Sequence, residues 1–330
     1  MINLGNYIFY KNNYNLLGKG AFSKVYRGKC IDTNKLVAFK IIKIKNITVK
    51  GLSIIEDEIK MMEIIKKNPH QNIVECYDII KKNDKVYIIM EYCDSGNLRT
   101  ILKKPIKESY TQFYFSQLAN GLKYLNENNI IHRDIKPKNI LLTNNRKVLK
   151  IADFGFARKI KEQSLYDTIC GSPLYMAPEI MSNEFYNEQT DLWSIGIILY
   201  EMLYGYHPFN KCRSIPELKK IVNNINIDIP PINNTNINVS HECISLLKLL
   251  LKKNVNNRIT WKDFFNNPWV NKYFDKNNKL KNSLENINCK IVGKIEIIDD
   301  YYSNNDSSIN YNTNKQNDSC LFDLELDTNK

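Results

Sequence analysis

The chain sets an acid, a lysine and an amide within one short stretch, His132-Arg133-Asp134-Ile135-Lys136-Pro137-Lys138-Asn139, and Asp153-Phe154-Gly155 follows soon after. Those residue types suit the movement of a phosphoryl group onto a hydroxyl. Asp134 can accept or orient the hydroxyl proton, and Lys136 can offset charge on the moving group. Asn139 and Asp153 are hard oxygen ligands of the kind magnesium takes, its other positions going to phosphates and water. His132 and Phe154 read as packing residues.

A second set of residues lies upstream. Leu17-Gly18-Lys19-Gly20-Ala21-Phe22-Ser23-Lys24-Val25 falls between two expected strands. Glycines there let the backbone approach phosphates and donate N–H groups to them. Taken by itself, the stretch reads equally well as an ordinary hairpin turn. No Gly-Lys-Ser/Thr ending follows, which excludes a Walker loop. Lys40 ends the apolar run Val37-Ala38-Phe39-Lys40, where an ammonium is costly unless it meets an anion. Phosphate oxygens and a helix carboxylate would supply one, and Glu58 is the expected carboxylate. Glu56 and Asp57 fall on other helix faces, whereas Met62, four residues on, faces the core with Glu58. The plainer reading of Glu58 is a solvated helix acid.

The elements that must position these groups are legible in outline. From about Lys11 to Met90 the pattern is strand-rich, with strands expected at Tyr14–Leu17, Lys24–Gly28, Leu36–Ile42 and Val86–Met90. Ile54, Ile55, Ile59, Met62 and Ile65 recur at near-helical spacing and place a helix between strands. After Asp94-Ser95-Gly96-Asn97 the character turns helical. Phe115, Leu118, Leu122 and Leu125 share a face, Asp191–Tyr204 reads as a buried helix, and Leu246, Leu247, Leu250 and Leu251 mark another. A β-rich lobe followed by a helical lobe is an α+β, bilobal architecture with a cleft between.

These motifs resemble those of eukaryotic protein kinases over about residues 11–270, with a small lobe at 11–90, a hinge at 91–96 and a helical lobe at 97–270. The resemblance implies ATP and Mg as cofactors. It implies that Met90 is the gatekeeper and that backbone groups of Glu91 and Cys93 bind the adenine, with Val25, Ala38 and Leu141 against its faces. Ser23 stands where the usual loop has a third glycine. Lys136, two after Asp134, and Ser172 in Gly171-Ser172-Pro173-Leu174-Tyr175-Met176-Ala177-Pro178-Glu179 match the serine/threonine pattern. Protein substrates with Ser/Thr acceptors are therefore expected.

Between Asp153 and Glu179 runs a loop of the switching kind. Thr168 sits where activating phosphothreonines lie in similar kinases, and Arg133, Arg158 and Lys159 are the cations that would hold its phosphate. An upstream kinase or autophosphorylation in trans would supply it; Ser164 and Tyr166 are less well placed. Glu179 is expected to pair with Arg258 and pin the end of the loop. The strings Cys170–Glu179, Asp191–Gly196 and Val86–Cys93 resemble the autophagy-initiating ULK-type kinases most closely. Those kinases usually add a long spacer and a helical domain that this sequence does not show, so an autophagy role is not carried over. Asn97 and Lys138 stand where acids would select basic peptides, and Ile169, Pro173 and Met176 suggest an apolar pocket instead.

Composition narrows the remaining choices. The formal charge of +12 invites a nucleic-acid reading. The lysines are spread widely, however, and their abundance alongside asparagine points to an AT-rich genome, a protist's or a large DNA virus's, so no nucleic acid is expected. No apolar run is long enough to span a bilayer, and no secretory pattern opens the chain. The eight cysteines contain no CxxC pair, which fits a reducing cytoplasm. Residues 271–330 are rich in Asn, Asp and Ser and read as mostly disordered. Within them Leu321-Phe322-Asp323-Leu324-Glu325-Leu326 alternates apolar and acidic residues, a pattern that could dock on a partner or fold back as an edge strand, against the plainer reading that it does nothing specific. A pseudokinase scaffold, a nucleic-acid binder with a kinase-like body and a kinase of the calcium/calmodulin-dependent branch are the competing readings.

Overall fold

The computed structural model describes residues 1–20, 23–159, 172–182, 188–224, 227, 229–230 and 239–273. Its first part is a seven-stranded antiparallel sheet. The strands are β1 (Ile2–Leu4), β2 (Tyr7–Phe9), β3 (Leu16–Lys19), β4 (Ser23–Cys30), β5 (Leu36–Lys43), β6 (Cys76–Lys81) and β7 (Lys85–Glu91). They lie in the order β1-β2-β4-β5-β7-β6, and β3 also pairs with β4. One edge of β4 thus serves two partners, β3 along its first half (Gly18↔Val25) and β2 along its second (Phe9↔Gly28).

Sequence periodicity did not reveal the β1–β2 hairpin, because strands of three residues are too short to show alternation. Tyr14-Asn15 also departs from the expected strand. The Asn12 side chain accepts the Asn15 N–H at 3.0 Å and bends Asn13–Asn15 into a single 3-10 turn, so β3 starts at Leu16. The hairpin is seated where β4 carries Gly28. A Cβ there would come within 2.5 Å of the Ile8 carbonyl and 2.7 Å of Phe9 Cβ, so only glycine admits β2 this closely.

The sheet buries both faces. Alternation along β5 sends Val37, Phe39 and Ile41 outward, where they pack with Leu4, Phe9, Tyr26, Tyr87 and Ile89. The opposite face, carrying Ile42, Val86 and Ile88, packs on α1 (Val49–Lys67) through Ile55, Ile59, Met62 and Ile65. Thr48 caps α1 by accepting the Gly51 N–H at 3.2 Å, and Lys66 and Lys67 close its last turn, where cations favour the helix dipole.

The second part is helical. Its elements are α2 (Glu108–Glu127), the short strands β8 (Ile130–Ile131), β9 (Ile140–Thr143), β10 (Val148–Ile151) and β11 (Arg158–Lys159), then α3 (Pro178–Met181), α4 (Thr190–Tyr204), α5 (Ile215–Asn224), α6 (His241–Leu250) and α7 (Trp261–Phe265). Every residue of α4 is buried, which makes it the axis of this lobe. Backbone hydrogen bonds join the lobes: Ile151 N–H to Asn72 O at 2.8 Å and Val74 N–H to Ile151 O at 2.9 Å. The Lys150 ammonium, 2.6 Å from the Glu91 carboxylate, adds a charged strut across the hinge. The architecture is α+β and bilobal.

Candidate active site

Lys40 lies on the α1-facing side of β5, between Ala38 and Ile42. Its ammonium bridges two carboxylates, Glu58 Oε1 at 2.5 Å and Asp153 Oδ1 at 2.6 Å. Glu58 is buried on the same face of α1 as Met62, while Glu56 is exposed. Burial works against the charge on Lys40, but Asp153 and Glu58 outweigh it and hold the ammonium above its ordinary pKa. The same contact lowers Asp153 to about 2, Lys40 being the largest cause. The Asp153 side chain is still 45 % exposed, so one carboxylate oxygen remains reachable from the cleft.

The His132–Asn139 stretch links β8 to β9. Asp134 is buried, and every neighbour orients it. Its Oδ2 accepts the Asn139 amide at 2.9 Å and lies 2.8 Å from the Lys136 ammonium; its Oδ1 accepts the Ser172 N–H at 3.0 Å. Lys136 also donates to the Ser172 hydroxyl at 2.7 Å. The Asn139 amide nitrogen donates a second bond to the Asp134 carbonyl at 2.9 Å, which leaves the Asn139 side-chain oxygen as an acceptor. The two clusters meet through Ala152, whose N–H donates to Asn139 O at 2.8 Å and whose carbonyl lies 3.0 Å from His132 Nε2. The fully buried His132 and Phe154 rings pack beneath, tilted at 59° with centroids 5.2 Å apart. Lys40, Glu58, Asp134, Lys136, Asn139 and Asp153 therefore belong to one connected site.

Sequence reasoning missed the anchor of this loop, which is Asp191. From α4 its carboxylate accepts the N–H groups of His132 at 2.9 Å and Arg133 at 3.0 Å. Arg133 holds φ +64, a conformation that costs a bulky residue and needs such support. The trace in the sequence is an acid in the first turn of a largely apolar helix. Glu179 and Arg258 come together as expected, bidentate at 2.7 and 2.9 Å and both buried. Arg258 also donates to the carbonyls of Gln189, Lys252 and Lys253.

The upstream residues line the opposite wall. Leu17, Gly18 and Lys19 close β3, Gly20 turns, and Ser23, Lys24 and Val25 open β4. The Gly20 N–H donates to Ser23 O at 2.9 Å, and a Cβ on Gly18 would meet nothing within 4 Å, so space is open beside that backbone. Val25 pairs with Lys40 and Ala38 with Met90, so the Val25 and Ala38 side chains share the Lys40 face. Leu141 points out of the core between the buried Ile140 and Leu142. At the hinge the Glu91 N–H is committed to Glu75 O at 2.9 Å, and burial pushes the Cys93 thiol up to about 12. Lys24 differs from Val25 in the way it faces. It pairs with Ile41 on the outer face, so its side chain turns away from Lys40 and lines a different cavity. Ala21, Phe22, Ser164, Tyr166, Thr168 and Ile169 lie outside the described residues.

The protein kinase domain profile matches residues 11–270. The chain belongs to the protein kinase family. Its curated relatives are named serine/threonine-protein kinases. Dictyostelium discoideum atg1 is 40% identical over 278 residues, covering 82% of this chain and 40% of that protein. Caenorhabditis elegans unc-51 is 38% identical over 270 residues (77% and 31%), and mouse ULK3 39% over 259 residues (77% and 53%). This kinase thus resembles the ULK, Atg1 and unc-51 group, as its motif strings suggested, and spans about a third to a half of those relatives' lengths. Among the described residues of the kinase, no helix is long and apolar enough to cross a membrane.

Proposed function

We propose that this kinase transfers the terminal phosphoryl group of ATP, with magnesium, to Ser/Thr hydroxyls of protein substrates. The observation that carries the reading is that Glu58, Lys40 and Asp153 form one ion-paired cluster, joined through the Ala152 backbone to a second made of Asn139, Asp134 and Lys136. Its donor set fits magnesium, which is usually held by one or two carboxylates plus phosphate oxygens. Asp153, with its exposed oxygen, and Asn139, with its free acceptor, are the residues that would hold it. When bound, the ion neutralises charge on the phosphates. Lys40, kept charged by its two carboxylates, is placed to bind phosphate oxygens, with the Gly18–Gly20 backbone as the other wall.

Asp134 acts by position. Its Oδ1 now holds the Ser172 N–H, and a substrate hydroxyl would take up that side of the carboxylate. Lys136, already shared between Asp134 and Ser172, is placed to meet the transferred group. The adenine would rest between Val25, Ala38 and Leu141 beside Met90, using the Glu91 carbonyl and the Cys93 N–H. The kinase-domain boundaries of 11 and 270, a cytoplasmic location and hydrophobic-directed substrate choice belong to the same proposal. The free thiols Cys30, Cys76, Cys93, Cys212 and Cys243 support a reducing compartment.

Matched peptides presenting Ser, Thr or Tyr, assayed with Mg-ATP, test the reading. Transfer to Ser and Thr but not Tyr is expected, favoured by apolar residues after the acceptor. Transfer to Tyr, or strong selection for upstream Arg, would overturn it. Phosphorylation of Thr168 is the proposed switch. In support, Arg158 pairs with Ile131 across β11 and β8, close in the backbone to Arg133. Thr168→Ala should lower kcat at least tenfold and leave the loop more open to protease; equal activity and equal protection would remove this switch.

A further inference from the structure

The reverse side of the small lobe holds a cavity of about 310 Å³, at the lower end of the ligand-pocket range of roughly 300–1,000 Å³. It opens on the sheet face opposite Lys40. Its floor is apolar, made by Ile2, Tyr26, Ile41 and Tyr87. Its rim carries five lysines, Lys11, Lys24, Lys43, Lys45 and Lys85, and no carboxylate lines it. None of the five ammonium groups pairs with a carboxylate among the described residues. Lys43 and Lys85 stand directly opposite each other across β5 and β7, an arrangement of like charges that is destabilising unless an anion lies between them. Phosphotransfer gives these groups no task, since α1, Asp153 and the transfer loop all lie on the other face.

A pocket with an apolar floor and a cationic rim is complementary to a peptide that alternates apolar and acidic side chains. The chain contains one, Leu321-Phe322-Asp323-Leu324-Glu325-Leu326-Asp327. In an extended strand its Asp323, Glu325 and Asp327 share one side and Phe322, Leu324 and Leu326 the other. We propose that this segment docks in the cavity of its own chain, apolar side on Tyr26, Ile41 and Tyr87 and acidic side on Lys43, Lys85 and their neighbours. Residues 274–320 give ample contour at ~3.3 Å each to reach any face of the domain. Gly20 and Ser23 line the same cavity, so the docked segment would also reach the end of β3 and the start of β4.

Zero-length carbodiimide coupling of the full chain, followed by peptide mapping, reads the contact directly. Expected are links from Lys24, Lys43, Lys45 or Lys85 to Asp323, Glu325 or Asp327, unchanged on dilution. In parallel, acylation of Lys43 and Lys85 by a small amine reagent should quicken several-fold in the Asp323→Lys/Glu325→Lys chain, which alters no described residue. Links only to other surfaces, or equal lysine reactivity in the two chains, would overturn the proposal. Links found only between two copies would overturn its intrachain form. If inositol hexakisphosphate shields the lysines while charge reversal of the segment changes nothing, the cavity is a polyanion site and the segment is not its occupant.

Discussion

At the residue scale, the site depends on one lysine holding two carboxylates. Lys40 keeps Asp153 near 2, below the ordinary carboxylate value of about 4. Because the folded value is depressed, the contact contributes stability above the ordinary range and loses it as pH falls towards 2. Between pH 5 and 8, Asp153 stays ionised and does not shape the pH–rate profile. In Lys40→Met the Asp153 carboxyl should titrate at or above about 4, as read by carbon NMR with Asp153→Asn as the assignment control; an unmoved titration would contradict the pairing. Sequence spacing exposed Lys40, Asp134, Lys136, Asn139 and Asp153 because each sits in a local motif. It hid Asp191 and the Lys150–Glu91 strut, whose partners lie far along the chain and leave no local pattern. Strand alternation did contain the direction of the Lys24 side chain, which stands one position from Val25 and so must face the other way.

At the element scale, two contacts hold the site-bearing elements in register. The buried Glu179–Arg258 pair fixes the end of the loop after Ser172 to the large lobe. Arg258→Leu strands a buried carboxylate and should cost about 3–5 kcal/mol, with the midpoint of urea unfolding falling accordingly. A shift under 1 kcal/mol would mean that the pair is structurally idle. Gly28 lets the β1–β2 hairpin cover the outer sheet. Gly28→Val overpacks against Phe9 and the Ile8 carbonyl and should cost about 1–3 kcal/mol, with amide exchange rising first in residues 2–9. Unchanged exchange there would show that the hairpin is not held by that close approach. The large buried elements α1, α2, α4 and α6 were legible because their apolar periodicity runs over many residues. The hairpin was not, because three-residue strands carry almost none and draw their stability from tertiary contact with Phe39 and Tyr26.

At the scale of the whole molecule, the lobes have different duties. The sheet and α1 carry Lys40 and Glu58; the helical lobe carries Asp134, Lys136 and Asn139; Asp153 closes the contact between them. The bilobal plan was readable from the change of periodicity after Asn97, whereas the basic cavity behind the sheet was not, since its lysines come from separate strands and loops. The central claim is that this crevice moves phosphate from ATP to an alcohol side chain. Intact-mass and phosphopeptide spectrometry of the purified chain and a Ser/Thr protein substrate after incubation with Mg-ATP measures that directly, with Asp134→Asn alongside. Phosphoserine or phosphothreonine that accumulates with wild type, and slows by about 10²-fold or more in equally folded Asp134→Asn, is the predicted result. No transfer by wild type, or equal transfer by both, would contradict the account.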